Sequence, residues 1–201
     1  MERLTPTTID EVAQSAGFEG RAVRAVLKVE TGGRGDDPTT GLLLIQFEPS
    51  WFRRLLPKAK LAAINAAAAA PTPEQLQLLA DWRTTQANAV EGQKRERLAF
   101  DAATRIDAHT AVLATSWALP QMMGFNHAAC GYATAEAMVE AFRISEANQV
   151  AAMLRFIKSN AKMAAGLREK QWGVLAYYYN GAGYKQFNYD TRLATAYAQL
   201  T

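Results

Sequence analysis

The chain has 201 residues, of which 49% are apolar and 20% charged, enough for one sizeable core in an ordinary globular balance. A formal net charge of +3, with no dense Lys/Arg stripe, does not argue for a nucleic-acid partner; it suits weak attraction to an anionic polymer such as a cell wall. The single cysteine, Cys130, excludes an internal disulfide framework and a cysteine metal cluster, and its apolar stretch Ala128-Ala129-Cys130-Gly131 reads as buried packing.

The first residues, Met1-Glu2-Arg3-Leu4-Thr5-Pro6, form no apolar signal region, and no stretch reaches the roughly 18 apolar residues of a spanning helix. Neither export by a signal peptide nor stable membrane insertion is expected. Ile9, Val12, Ala13 and Ala16 then recur at helical spacing behind the capping-box pattern Thr8-Ile9-Asp10-Glu11, with Gly17 as a stop. A second helix runs from about Gly20 with Val23, Val26 and Leu27 on one face, and Glu30 takes the next place on that face. It ends at Gly32-Gly33. The glycine-rich segment to Gly41 is turn chemistry, and Leu42 to Glu48 reads as a strand closed by Pro49. A small hairpin or sheet is therefore expected at about residues 32–48.

From Ser50 the pattern is helical again, including the alanine run Leu61 to Ala70, which Pro71 ends. Pro73 and Gln75 restart a helix whose inner face is predicted to hold Leu76, Leu79 and Ala80. One long helical region is predicted from about Arg95 to Thr115. Ser116 to Tyr132 looks irregular. Helices follow around Ala135–Phe142, around Val150–Ile157 with Ser145 as N-cap, around Trp172–Tyr179 until Asn180-Gly181-Ala182-Gly183, and from about Asp190 onward. The fold class is α+β, mostly α-helical, in a single domain over 1–201.

Glycosidic cleavage needs a carboxylic acid that is still protonated near neutral pH. Burial raises a carboxyl pKa, and the negative end of a helix dipole adds to the effect. Glu30 meets both conditions, because it continues the inward stripe and lies in the last helical turn. Gly32 and Gly33 would let a substrate approach closely. His109 and His127 form no metal site with the one cysteine, and no nucleophilic Ser-His-Asp set or phosphate-cradling loop is visible.

Four segments resemble the N-acetylmuramidase domain of bacteriophage endolysins. Val29-Glu30-Thr31-Gly32-Gly33 is similar to its Glu-Ser-Gly-Gly motif, and Gln46-Phe47-Glu48 to its strand ending in Phe-Glu. Ser116 to Asn126 is similar to its Ser-Trp-Gly-x-x-Gln-x-Met-Gly-x-Asn segment. Tyr179-Asn180-Gly181-Ala182-Gly183-Tyr184 is similar to its Tyr-Asn-Gly-x-x-Tyr motif. All four occur in the family's order and spacing, over about residues 25 to 198. Goose-type lysozymes and lytic transglycosylases share a more distant version of the pattern. Departures are the missing histidine after Phe47-Glu48, Ala118 in place of glycine, and Pro120 just before Gln121.

The resemblance implies a lysozyme-like fold and a peptidoglycan hydrolase that cuts the β-1,4 bond between N-acetylmuramic acid and N-acetylglucosamine, in a phage setting. It would be made in the host cytoplasm and act on the periplasmic wall after release, as a lone catalytic domain without a cell-wall-binding module. Carried over, Glu30 is the general acid and Glu48 the first candidate for a second carboxylate, with Asp36 and Asp37 competing. Gln46 shares a strand face with Glu48. Gln121 and Asn126 would bond sugar amides or hydroxyls, Tyr179 and Asn180 would line the cleft floor, and Tyr184 would stack on a ring. Trp117 is a candidate contact, while Trp51, Trp82 and Trp172 read as packing. No cofactor or metal is expected, and a monomer is. The alternatives are a lytic transglycosylase leaving 1,6-anhydromuramic ends, or a non-catalytic glycan-binding or virion protein.

Overall fold

The computed structural model describes residues 2–86 and 92–200. Helices α1 (Pro6–Ser15) and α2 (Gly20–Thr31) come first. Strand β1 (Ile45–Phe47) leads into α3 (Pro49–Leu55), α4 (Lys58–Ala69) and α5 (Gln75–Gln86). Next come α6 (Gln93–Ile106), α7 (Ala108–Leu113), β2 (Thr115–Trp117) and β3 (Met122–Met123). A 3-10 turn (Gly124–Asn126) precedes α8 (Ala135–Ile144), α9 (Glu146–Lys158), α10 (Ala161–Arg168) and α11 (Trp172–Asn180). A second 3-10 segment (Ala182–Phe187) and α12 (Tyr189–Gln199) complete the described chain.

α2 is the central helix. Ala22, Val23, Ala25, Val26, Leu27 and Val29 are all buried, a stripe wide enough to be covered by α1, α10 and α12 together. Gly32 ends it in the left-handed region at φ 66°, which glycine adopts without a Cβ penalty. α1 starts earlier than its sequence suggests. Thr5 is the N-cap, accepting from the Thr8 amide at 3.2 Å, because Pro6 has the fixed φ and missing N–H that suit a first helical position.

The sheet differs from expectation in its partners. β1 is only three residues long and pairs antiparallel with β2, which pairs with β3; Ile45 faces Trp117 and Ser116 faces Met123. Within residues 32–48, Asp36 and Leu43 form an isolated bridge. The sheet is instead completed from the segment read as irregular. Strands of two or three residues are too short to show an alternating pattern.

Three helical expectations also change. The region 95–115 is broken at Asp107, which turns extended at φ −157° and caps α7 by accepting from the Thr110 amide at 2.8 Å. On α5 the inner face holds Leu79, Asp81, Trp82 and Thr85, while Leu76 and Ala80 are exposed; Arg105 clasps the Asp81 carboxylate there. α10 is an additional helix, capped by Asn160 through the amides of Lys162 and Met163. Its Gly166 lies so close to α11 that a Cβ would meet the Leu175 nitrogen at 2.9 Å.

Buried apolar residues form three clusters: one around α2, one joining β1 to α3–α7, and one between the sheet, α8 and α9. Trp82 is buried, and Trp51 packs at a tilt against Phe125 and Trp172 against Tyr197. Cys130 is fully buried in the third cluster, which pushes its thiol up to about 12. No helix among the described residues is long and apolar enough to cross a membrane.

Candidate active site

Where the α2 cluster meets β1, a cleft of about 200 Å³ opens. Glu30 and Thr31 form one wall, and Gln46, Gln93 and Glu96 the other, with Gln121 alongside. Glu30 itself is half-buried. Its carboxyl is surrounded closely enough that loss of water raises its pKa from 4.5 to about 7. Two groups oppose the rise: Asn180, whose side-chain amide lies 3.5 Å from Glu30 Oε1, and the positive charge of Arg192. An acid with such a pKa holds its proton at neutral pH and can still give it up.

The neighbours of Glu30 come from the other end of the chain. Tyr179 donates its hydroxyl to the Pro120 carbonyl at 2.9 Å, tying α11 to the segment before Gln121. Burial raises its pKa well above the ordinary phenol value, and the nearby charge of Glu30 adds to this. Tyr189 is raised by burial and by the same carboxylate. On the α2 side, the Thr31 hydroxyl donates to the Leu119 carbonyl at 3.1 Å. The Tyr179, Asn180 and Leu119–Gln121 segments therefore converge on the end of α2.

The opposite wall is held in an unusual way. One edge of β1 pairs with β2; the other is met by side chains of α6. Gln93 accepts from the Ile45 amide at 3.0 Å and donates to the Ile45 carbonyl at 2.8 Å. Glu96 accepts from the Phe47 amide at 2.7 Å, and Arg97 donates to the Leu43 carbonyl. Three residues in the first turns of a helix thus substitute for a fourth strand, satisfying an edge that would otherwise be bare. As a result Ile45 and Phe47 are buried while Gln46 and Glu48 point the other way, and Gln46 donates to Glu48 Oε1 at 2.9 Å. The shared face expected for Gln46 and Glu48 is present. The Glu48 carboxyl is raised by burial and, in part, by the charge of Glu96; its bond from Gln46 opposes this.

The competing acids have other occupations. Asp36 is buried and receives both its bonds from one Arg3 nitrogen, at 2.8 and 2.9 Å. Asp37 accepts from the Thr39 amide at 2.8 Å, a turn-forming contact.

Trp117 is a correction. It is 2% exposed, donates its ring N–H to the Val112 carbonyl at 3.1 Å and meets Phe100 edge-on, so it is core and offers no face to a sugar. Asn126 lies in the 3-10 turn with its amide 3.8 Å from the Met122 sulfur, and the turn packs on α7, α8 and β2. Tyr184 packs edge-on against Tyr177 and next to Gly173. Gln121 lines the cleft, with its amide turned to the Ala118 carbonyl at 2.8 Å. His109 pairs with Glu136 and His127 with the Tyr132 carbonyl. Sequence reasoning missed Gln93, Glu96 and Arg192. The first two carry only the weak signal of polar residues three apart at a helix start; nothing local marks Arg192.

The N-acetylmuramidase family model matches residues 19–201. The crystal structure of the Burkholderia AP3 phage endolysin is similar, with a TM-score of 0.77 and 31% identity over 98% of this chain and 71% of that one. No curated protein matches the chain. A family match over nine-tenths of the sequence, on a fold that carries an acid at the end of its central helix, makes this chain a member of the N-acetylmuramidase family.

Proposed function

We propose that the chain is a peptidoglycan hydrolase of bacteriophage lysis that cuts the β-1,4 bond between N-acetylmuramic acid and N-acetylglucosamine, with Glu30 as general acid. The observation that carries this reading is a carboxyl group facing a cleft, with its pKa raised by burial to about 7. Glu30 gives its proton to the glycosidic oxygen as positive, oxocarbenium-like charge develops on the muramic sugar. Water then attacks the anomeric carbon, and its proton returns to a carboxylate. Glu48, which follows β1 and accepts a hydrogen bond from the cleft-lining Gln46, is the second carboxylate of this scheme; Asp36 and Asp37 are occupied in holding the loop. Gln46, Gln121 and Asn180 supply hydrogen bonds to the sugar amides and hydroxyls. Proton transfer and water attack need no cofactor. The enzyme is made in the host cytoplasm and meets the wall after release.

Digestion of purified peptidoglycan by the wild-type chain and by Glu30→Gln tests the assignment. The variant should lose at least about a thousandfold in turnover while its circular dichroism is unchanged. The wild-type products should carry reducing muramic ends. Anhydro ends, lighter by one water, would point to transglycosylation, and full turnover by a folded Glu30→Gln protein would remove Glu30 from the mechanism.

A further inference from the structure

α2 ends one residue past Glu30, the residue proposed as the acid, so its last carbonyls lie beside Glu30 and present the negative end of the helix dipole to it. One of them, the Val29 carbonyl, accepts a hydrogen bond from Arg192 Nη2 at 2.9 Å. Arg192 comes from the first turn of α12, which packs along α2. Its guanidinium stands 5.0 Å from the centre of the Tyr189 ring, and the Tyr189 hydroxyl lies within the field of Glu30. The arginine is thus fixed at two points next to the acid, although 163 residues separate it from Val29 in sequence.

We propose that Arg192 is a positioning residue for the proton donor: it caps the C-terminal end of α2 and supplies the positive field that keeps the proton of Glu30 transferable. The inference rests on the reading of Glu30 as the acid. Burial and the helix dipole both make the carboxyl hold its proton more tightly, and a weaker acid is a poorer donor. The charged and titratable groups facing Glu30 can be named by element. α11 offers the Asn180 amide and the Tyr179 phenol, and α12 offers Tyr189 and Arg192. On α2 itself, Lys28 is turned to Gln199 at 3.1 Å, and Glu96 lies on the far wall of the cleft. Among the described residues, Arg192 is the cation whose charge acts on Glu30, in the direction that lowers its pKa.

Two substitutions separate the cap from the charge. Arg192→Gln can still donate to the Val29 carbonyl but is neutral; Arg192→Lys keeps the charge without the planar fork. The readout is the carboxyl carbon resonance of Glu30, labelled with ¹³C, assigned by its loss in Glu30→Gln, and followed against pH. In Arg192→Gln its midpoint should move to higher pH, and in Arg192→Lys it should stay near the wild-type position. The basic limb of kcat/KM should move with it, so that near pH 8 Arg192→Gln keeps about two- to threefold more of its own maximal rate than wild type does. Raising the salt concentration should shrink the difference, because Arg192 is exposed to solvent. An unchanged or lowered midpoint in Arg192→Gln overturns the proposal. A midpoint that rises while the rate limb stays in place shows that Arg192 acts on the Glu30 carboxyl but removes Glu30 as the acid, and with it the positioning role.

Discussion

Burial of Glu30 has a cost that follows from its chemistry. The folded chain keeps this proton up to about pH 7, whereas the unfolded chain releases it near 4.5. Between those values the folded state binds more protons than the unfolded one, so stability falls as pH rises. A shift of this size corresponds to a loss on the order of 3 kcal/mol, complete once pH exceeds the folded pKa. Glu30→Gln has no proton to lose. It should match wild type in urea unfolding at about pH 4 and exceed it by about 2–3 kcal/mol at about pH 8; equal stability at both would mean that the carboxyl is not desolvated. Glu30 was legible because its helix has a regular apolar stripe that aims it inward. Ala118 was legible only as a departure from glycine. It adopts φ 58°, a left-handed conformation that costs a non-glycine residue about 1–2 kcal/mol, and its methyl is fully buried, which offsets part of that cost.

At the scale of elements, helices with a 3.6-residue period could be read from the sequence and the sheet could not. α2, α8 and α9 begin and end close to where Val23, Met138 and Val150 and their neighbours place them. β2 and β3 are too short for any period, and the contact between α6 and β1 joins residues 48 apart through side chains. That contact should matter for both stability and turnover. Gln93→Ala removes both bonds to Ile45 and leaves its amide and carbonyl facing a half-buried space, at about 1–3 kcal/mol. The Ile45 amide should then exchange with solvent faster than its neighbours in β2. Turnover should fall as well, because β1 carries Gln46 and leads into Glu48, the proposed second carboxylate. Gln93→Glu keeps the acceptor for the Ile45 amide and should recover part of the protection. Unchanged Ile45 exchange in Gln93→Ala would show that β2 alone holds the strand.

At the scale of the whole molecule, the family match begins at residue 19, yet the residues before it complete the structure. Ala13 and Phe18 belong to the α2 cluster, with Ile9 and Val12 packed against it. Leu4 donates its amide to Glu146 at 2.8 Å, Glu2 bridges to the α8–α9 junction, and Arg3 holds Asp36 in the loop that leads to β1. The segment thus ties the helical bulk to the loop behind the cleft wall. Burial of Phe18 alone is worth about 2–3 kcal/mol, and Asp36 would be left buried without its arginine, which costs more than losing a surface pair. Deleting residues 1–18 should therefore cost about 4 kcal/mol or more, a fall of about 10 °C in Tm for a chain of this size. It should also weaken turnover through Asp36 and the strand that follows. Arg3→Ala in the full chain isolates the second effect: it should lower Tm by a few degrees while α1 stays packed. If the truncated chain melts at the wild-type temperature, α1 merely rests on the surface, and α2 is buried well enough by α10 and α12 alone.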